Sequence, residues 1–174
     1  MLLIIVLAVI IIVSLKKTGS IMFFNTQLFS NLLSESESTN SYTANYKNLA
    51  FGKYQFIISR LQELHNKYPN DLPELSLSNI NDFIDNPSLQ EKFFSFHIKD
   101  ILNYIQAVNL QSYLGLQITG KNKYPKNVKV NQYGLVAGAH LGGSKGVYDF
   151  IVSGIDRKDA LGTYISDYVA KFSD

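Results

Sequence analysis

Residues 37–56 read ESTNSYTANYKNLAFGKYQF, and the interpretation of this stretch decides the fold. A carboxylate closes an apolar segment, a run rich in Ser, Thr and Asn follows, and Gly52-Lys53-Tyr54-Gln55-Phe56 opens the next element. Polar runs of this composition form loops or short irregular sheet, so residues 38–48 are expected to hold at most a minimal β-hairpin. Upstream, Leu28, Phe29, Leu32 and Leu33 fall at helical spacing within residues 25–36, with Asn25 or Thr26 as the N-cap. Downstream, Phe56, Ile57, Leu61, Leu64 and Tyr68 repeat as an amphipathic helix over residues 55–68, stopped by Pro69. Glu37 is thereby expected at a helix–loop boundary, backed by Leu32, Leu33 and Phe56.

The same periodicity continues outward. A short helix is expected over residues 78–84. Pro87 suits a first helical turn, and residues 88–110 carry a long run with Leu89, Phe93, Phe96, Ile101, Tyr104, Ile105 and Val108. Residues 114–118 precede a lysine-rich stretch, 120–130. A small-residue helix interrupted by Gly142-Gly143 covers 133–150, and a last helix covers 162–172. With no internal repeat and no long linker after residue 25, the expectation is a mainly α single domain over 25–174. A hydrophobic segment, 1–24, precedes it.

Composition narrows the function. The chain has 174 residues, 46% of them apolar and 17% charged, as in a folded protein rather than a disordered one. A net charge of +2, without an interleaved basic and aromatic stripe, argues against nucleic acid as a partner. Cysteine is absent, which excludes disulfides, thiolate metal sites and a cysteine nucleophile. His65, His97 and His140 never fall at i, i+4, so no metal site is expected. Lys121, Lys123, Lys126 and Lys129 form a basic cluster, read either as an attractor of anionic polymer or as a solvated loop.

Residues 2–15 are almost continuously Leu, Ile and Val, followed by Lys16 and Lys17. As a helix they would rise about 21 Å, short of a bilayer core of roughly 30 Å. No basic residue precedes the run and no small-x-small cleavage site follows it, so it reads as a retained anchor rather than a cleaved signal. Residues 2–15 would cross a thinned bilayer with both lysines snorkelling to the head groups. Those lysines favour a cytoplasmic domain, a conflict that a virion membrane or a release pore would remove.

A carboxylic acid at the edge of a cleft is the group that glycoside cleavage needs above all, since partial desolvation of such an acid favours its protonated form. Residues 37–56 resemble the lytic transglycosylase and goose-type lysozyme superfamily, whose phage-type members carry E-S-x-x-x-Y and, about ten residues on, G-x-Y-Q-F. Glu37, Ser38 and Tyr42 match the first motif, and Gly52, Tyr54, Gln55 and Phe56 the second. Thr39 and Asn40 replace the usual glycines. Downstream, Ala139-His140-Leu141-Gly142-Gly143, Asp159-Ala160-Leu161-Gly162-Thr163, Ile165-Ser166-Asp167-Tyr168 and Pro87-Ser88-Leu89-Gln90-Glu91 resemble further family segments. The resemblance covers about residues 30–173.

The resemblance implies a lysozyme-like domain acting on peptidoglycan glycan strands at the wall, tethered to a bacterial or phage-virion membrane, without metal or organic cofactor. Glu37 is then the catalytic acid and Gln55 positions the sugar N-acetyl group or the glycosidic oxygen. Tyr42 and Tyr54 line the groove, unless they pack in the core. His140 stands where the family has a tyrosine near the glutamate; it bonds Glu37 or the sugar, or packs in its helix. A two-carboxylate hydrolase needs a second acid, for which Asp71, Asp82, Asp85, Asp149 and Asp156 are candidates. Family transglycosylases manage with one glutamate and form a 1,6-anhydro product, and a single supported carboxylate tilts the reading that way. The competing reading is an inactive, membrane-anchored wall-binding or virion structural domain.

Overall fold

Asn25 starts the first helix: its side-chain oxygen accepts from the Leu28 N–H at 2.9 Å, and α1 runs Thr26–Ser38. Phe29 and Leu33 are its buried apolar face, whereas Leu28 and Leu32 are each 46% exposed. Leu32 therefore does not back Glu37 as expected. The helix ends in two residues of positive φ, Thr39 (52°) and Asn40 (64°), and the Thr39 N–H caps the Ser34 carbonyl. This left-handed geometry favours glycine and is strained for a β-branched residue. The positions where the resembling family carries glycine thus adopt the backbone that glycine suits.

The computed structural model describes residues 24–122, 126–159 and 162–173; the proposed anchor at 2–15, Lys123, Ala160 and Leu161 lie outside them. Strands β1 (Asn45–Tyr46) and β2 (Ala50–Phe51) pair antiparallel, with Tyr46 opposite Ala50. A minimal hairpin exists, but later than the expected 38–48, with its second strand beyond the polar run; its loop holds Lys47 and Asn48 at positive φ.

The next segment corrects an expectation. Gly52–Phe56 does not open a helix: Phe51 and Phe56 exchange two backbone hydrogen bonds, each 2.9 Å, around a tight turn. Gly52 (φ +74°) permits that turn, and a Cβ there would lie 2.3 Å from the Gln90 side-chain oxygen. Helix α2 begins later, at Ile58–Lys67.

Helix α3 spans Ile80–Ile84 and α4 Pro87–Ala107, with Asn86 as N-cap and Pro87 in the first turn. A 3₁₀ turn, Leu110–Tyr113, leads into a second hairpin, β3 (Gln117–Thr119) with β4 (Asn127–Lys129). The lysine-rich composition of residues 120–130 gives no sign of this hairpin. Strands of three residues burying little more than Val128 leave almost no alternation to detect. Helix α5 (Gln132–Ser153) kinks at Gly143, whose φ of 73° is not helical, and α6 spans Ile165–Lys171. The architecture among the described residues is mainly helical, with two small hairpins.

Aromatic rings dominate the core. Tyr54 stacks on Phe94 with ring centres 3.8 Å apart, and Phe29, Phe56, Phe83 and Phe93 are no more than 1% exposed. Each such side chain contributes on the order of 1.5–3 kcal/mol through burial. The small-residue face of α5 lets α6 approach closely. A Cβ on Gly142 would meet Ile165 Cδ1 at 2.4 Å, and one on Gly138 would meet Val169 Cγ2 at 2.8 Å. Among the described residues, no helix is long and apolar enough to cross a membrane.

Candidate active site

A cleft of about 1490 Å³ runs between the first hairpin, α2, α4 and the kink of α5. Glu37, one residue before the end of α1, lies on its wall together with Gln55, His140 and Tyr168. Tyr168, projecting from α6, donates its hydroxyl hydrogen to Glu37 Oε1. Burial and then the adjacent Glu37 charge push the Tyr168 phenol above its usual range, so it stays a donor. Gln55 sits at φ +47°, and its amide donates to the Gly52 carbonyl at 2.8 Å. The turn that replaced the expected helix start therefore orients Gln55 into the cleft.

Tyr42 and Tyr54 do not line this cleft, which corrects the expectation for both. They belong to a cluster on the other side of the 38–56 segment, centred on Glu91 of α4. Tyr42 donates to Glu91 Oε1 at 2.6 Å, Lys53 Nζ lies 2.9 Å from that oxygen, and the Tyr54 hydroxyl lies 2.8 Å from Oε2. Burial opposes ionisation of Glu91, but the three donors outweigh it and hold its carboxyl below the usual value. Burial, together with Glu91, lifts the Tyr54 phenol to about 12. Tyr54 is fully buried, because a tyrosine can bury its ring when its hydroxyl finds partners. The aromatic rings that do line the cleft, besides Tyr168, include Tyr46, Tyr104 and Phe56, and Tyr46 is 39% exposed.

His140 does not bond Glu37 directly. Its Nδ1 lies 3.0 Å from His97 Nε2, and its ring also bonds the Tyr54 carbonyl. His97 Nδ1 accepts from Arg60 Nε at 3.0 Å. Arg60 is in turn held by Asp100 and Glu63, each at 2.7 Å. Burial comes first among the effects that push both histidines below the usual imidazole value, strongly so for His97. Arg60, His97 and Tyr168 were not singled out individually from sequence. Their spacing carries no signal, although Tyr168 closes one of the family-like segments.

None of Asp71, Asp82, Asp85, Asp149 and Asp156 lines the cleft. Asp149 binds Lys145 and Arg157, and Asp156 caps Ser166. The carboxylates that share the cleft with Glu37 are Glu63, Asp100 and Asp159. The first two are paired with Arg60, and Asp159 accepts from the Thr163 N–H at 2.7 Å. Lys121, Lys126 and Lys129 lie off the cleft, and Lys126 pairs with Asp167. Among the described residues no group of three or more acidic or histidine side chains is arranged to hold a metal ion. Comparison of the chain with protein-family models, curated proteins and solved structures finds no match.

Proposed function

We propose that this chain cleaves peptidoglycan at the β-1,4 bond between N-acetylmuramic acid and N-acetylglucosamine, on a lysozyme-like fold, with Glu37 as general acid/base. The observation that carries the reading is the position of Glu37. It lies on the wall of a strand-sized cleft, has one hydrogen-bond donor among the described residues, and has Gln55 and His140 on the same surface. The protonated carboxyl gives its hydrogen to the leaving glycosidic oxygen as the bond breaks. The resulting carboxylate takes the hydrogen of the muramoyl 6-hydroxyl, whose oxygen closes on C1 to give the 1,6-anhydro sugar. Tyr168 fixes one carboxyl oxygen and leaves the other for the substrate.

The intramolecular route is preferred over hydrolysis because it asks for one carboxylate only, whereas an inverting hydrolase needs a second to activate water, and Asp100 is held by both Arg60 and Lys67. Gln55 is assigned to the N-acetyl group or the glycosidic oxygen. Residues 2–15 are assigned to tethering the domain at a bacterial or virion membrane beside the wall. Digestion of purified peptidoglycan by the full chain in mild detergent, with mass spectrometry of the soluble products, tests the reading. Anhydro-muropeptides from the wild type but not from Glu37→Gln are expected. Reducing ends would make it a lysozyme. No release from the folded wild type on several wall types would leave a binding or structural domain instead.

A further inference from the structure

We infer that Arg60 and His97 form a proton lock on His140, fixing which ring nitrogens carry hydrogen and keeping a neutral imidazole, rather than an imidazolium, near Glu37. The use made of the lock rests on the acid role proposed for Glu37. The lock itself follows from the side chains and is tested without that role.

A guanidinium has only donors and does not lose its proton at any ordinary pH. His97 Nδ1, 3.0 Å from Arg60 Nε, therefore carries no hydrogen. A neutral His97 then carries its hydrogen on Nε2, which points at His140 Nδ1 over 3.0 Å. That nitrogen must be bare in turn, so the His140 hydrogen sits on Nε2. Both His97 nitrogens and His140 Nδ1 are thereby occupied. His97 cannot act as base, nucleophile or metal ligand without breaking the chain of bonds.

Adding a proton to His140 would place N–H against N–H across the two rings. Shifting the His97 hydrogen to Nδ1 to relieve this would set it against the Arg60 N–H instead. The surrounding charges agree with the geometry. On α2, Arg60 and Lys67 face Asp100 of α4, and Arg60 also faces Glu63, and the Arg60 charge still opposes a cation on His140. Glu37 of α1 remains as the anion that acts on His140, and on α6 Tyr168 donates to that anion. On α5 itself Lys145 is bound to Asp149. A cation at His140 would favour the ionised form of its carboxyl neighbour and so oppose proton donation. The neutral ring does not.

The test uses the full chain with ¹⁵N-labelled histidine, following the His140 ring nitrogens from about pH 8 to about pH 5, across the ordinary histidine range. In the wild type His140 is expected to remain the neutral Nε2–H tautomer throughout. In His97→Phe its Nδ1 is released, and although burial still disfavours the cation, the ring takes up a proton at higher pH than in the wild type. His97→Gln, whose amide offers an oxygen to Arg60 and an N–H to His140, restores the wild-type pattern. Sugar release by His97→Phe falls several-fold more than that of wild type on going from neutral to acidic pH, because its His140 becomes a cation beside Glu37, and His97→Gln does not show the loss. Ordinary titration of His140 in the wild type, or an Nδ1–H tautomer, overturns the lock even if His97→Phe proves unable to fold. Absence of sugar release from every protein overturns the role proposed for Glu37 and leaves the nitrogen shifts to decide the lock.

Discussion

Two glutamates flank the 38–56 segment and meet opposite environments. Glu91 takes hydrogen bonds from Tyr42, Lys53 and Tyr54, which tie the loop and its turn to α4. Glu37 takes one, from Tyr168, and faces an open cleft. A carboxylate surrounded by donors is held ionised and serves the fold. One with a single donor keeps lone pairs for a ligand. The contrast also explains the fate of the two tyrosines expected in the groove, since a hydroxyl drawn to Glu91 takes its ring away from the cleft.

The comparison predicts opposite phenotypes for the same substitution. Glu37→Gln is expected to reduce sugar release by a factor on the order of 10²–10⁴, the usual weight of a general acid, with thermal unfolding almost unchanged. Glu91→Gln is expected to lower stability by about 1–3 kcal/mol, because Lys53 and the buried Tyr54 hydroxyl lose a charged acceptor. Its release at a temperature where it is folded should stay near wild type. Denaturant unfolding and product counts on both variants check the pair, and a catalytic loss confined to Glu91→Gln would reverse the assignment.

The turn that separates the two glutamates is the next target. Gly52→Ala is expected to cost about 1–3 kcal/mol, since the new Cβ meets Gln90 while φ remains positive. Urea midpoints report it.

Acid stability sharpens the contrast between Glu91 and the histidine pair. The folded-state value of Glu91 is depressed below the usual 4.5, so its contribution is fully present above that pH and is lost as pH falls through the lower value. His97 and His140 are depressed below the usual 6.5, so the unfolded chain binds protons first and stability begins to fall below that pH. Two descending steps are expected in a pH series of melting temperatures. His97→Phe should diminish the upper step and Glu91→Gln the lower, to which the depressed Asp100 and Asp149 also contribute.

The smallest effect expected is a gain. Thr39→Gly relieves a β-branched residue at positive φ and should stabilise the chain by about 1 kcal/mol, measured by the melting temperature. A loss would show that the Thr39 side chain contributes more than its backbone strain costs.

Much of the fold is legible in local chemistry. Asn25 as a cap, the long helix introduced by Pro87, the break at Gly142-Gly143 and the small-residue face of the helix around it all depend on groups within a turn or two of one another. The same holds for a carboxylate at the end of the first helix and, less closely placed, a hairpin that starts in the polar run after it. The tight turn at 52–56 misled because Gly, Tyr and Phe before an amphipathic run look like its beginning. Only the pairing of Phe51 with Phe56 shows that the chain first reverses.

The sequence by itself determined a mainly helical chain with Glu37 at a helix–loop boundary, because helical period, capping and turn chemistry act between near neighbours. The tertiary structure decided which carboxylate is left open and which is saturated. Tyr168 reaches Glu37 across 131 residues, Tyr42 reaches Glu91 across 49, and His97 meets His140 across 43. Contacts at such separations follow from how helices pack, and packing is set by the volume and shape of the whole core rather than by any local pattern.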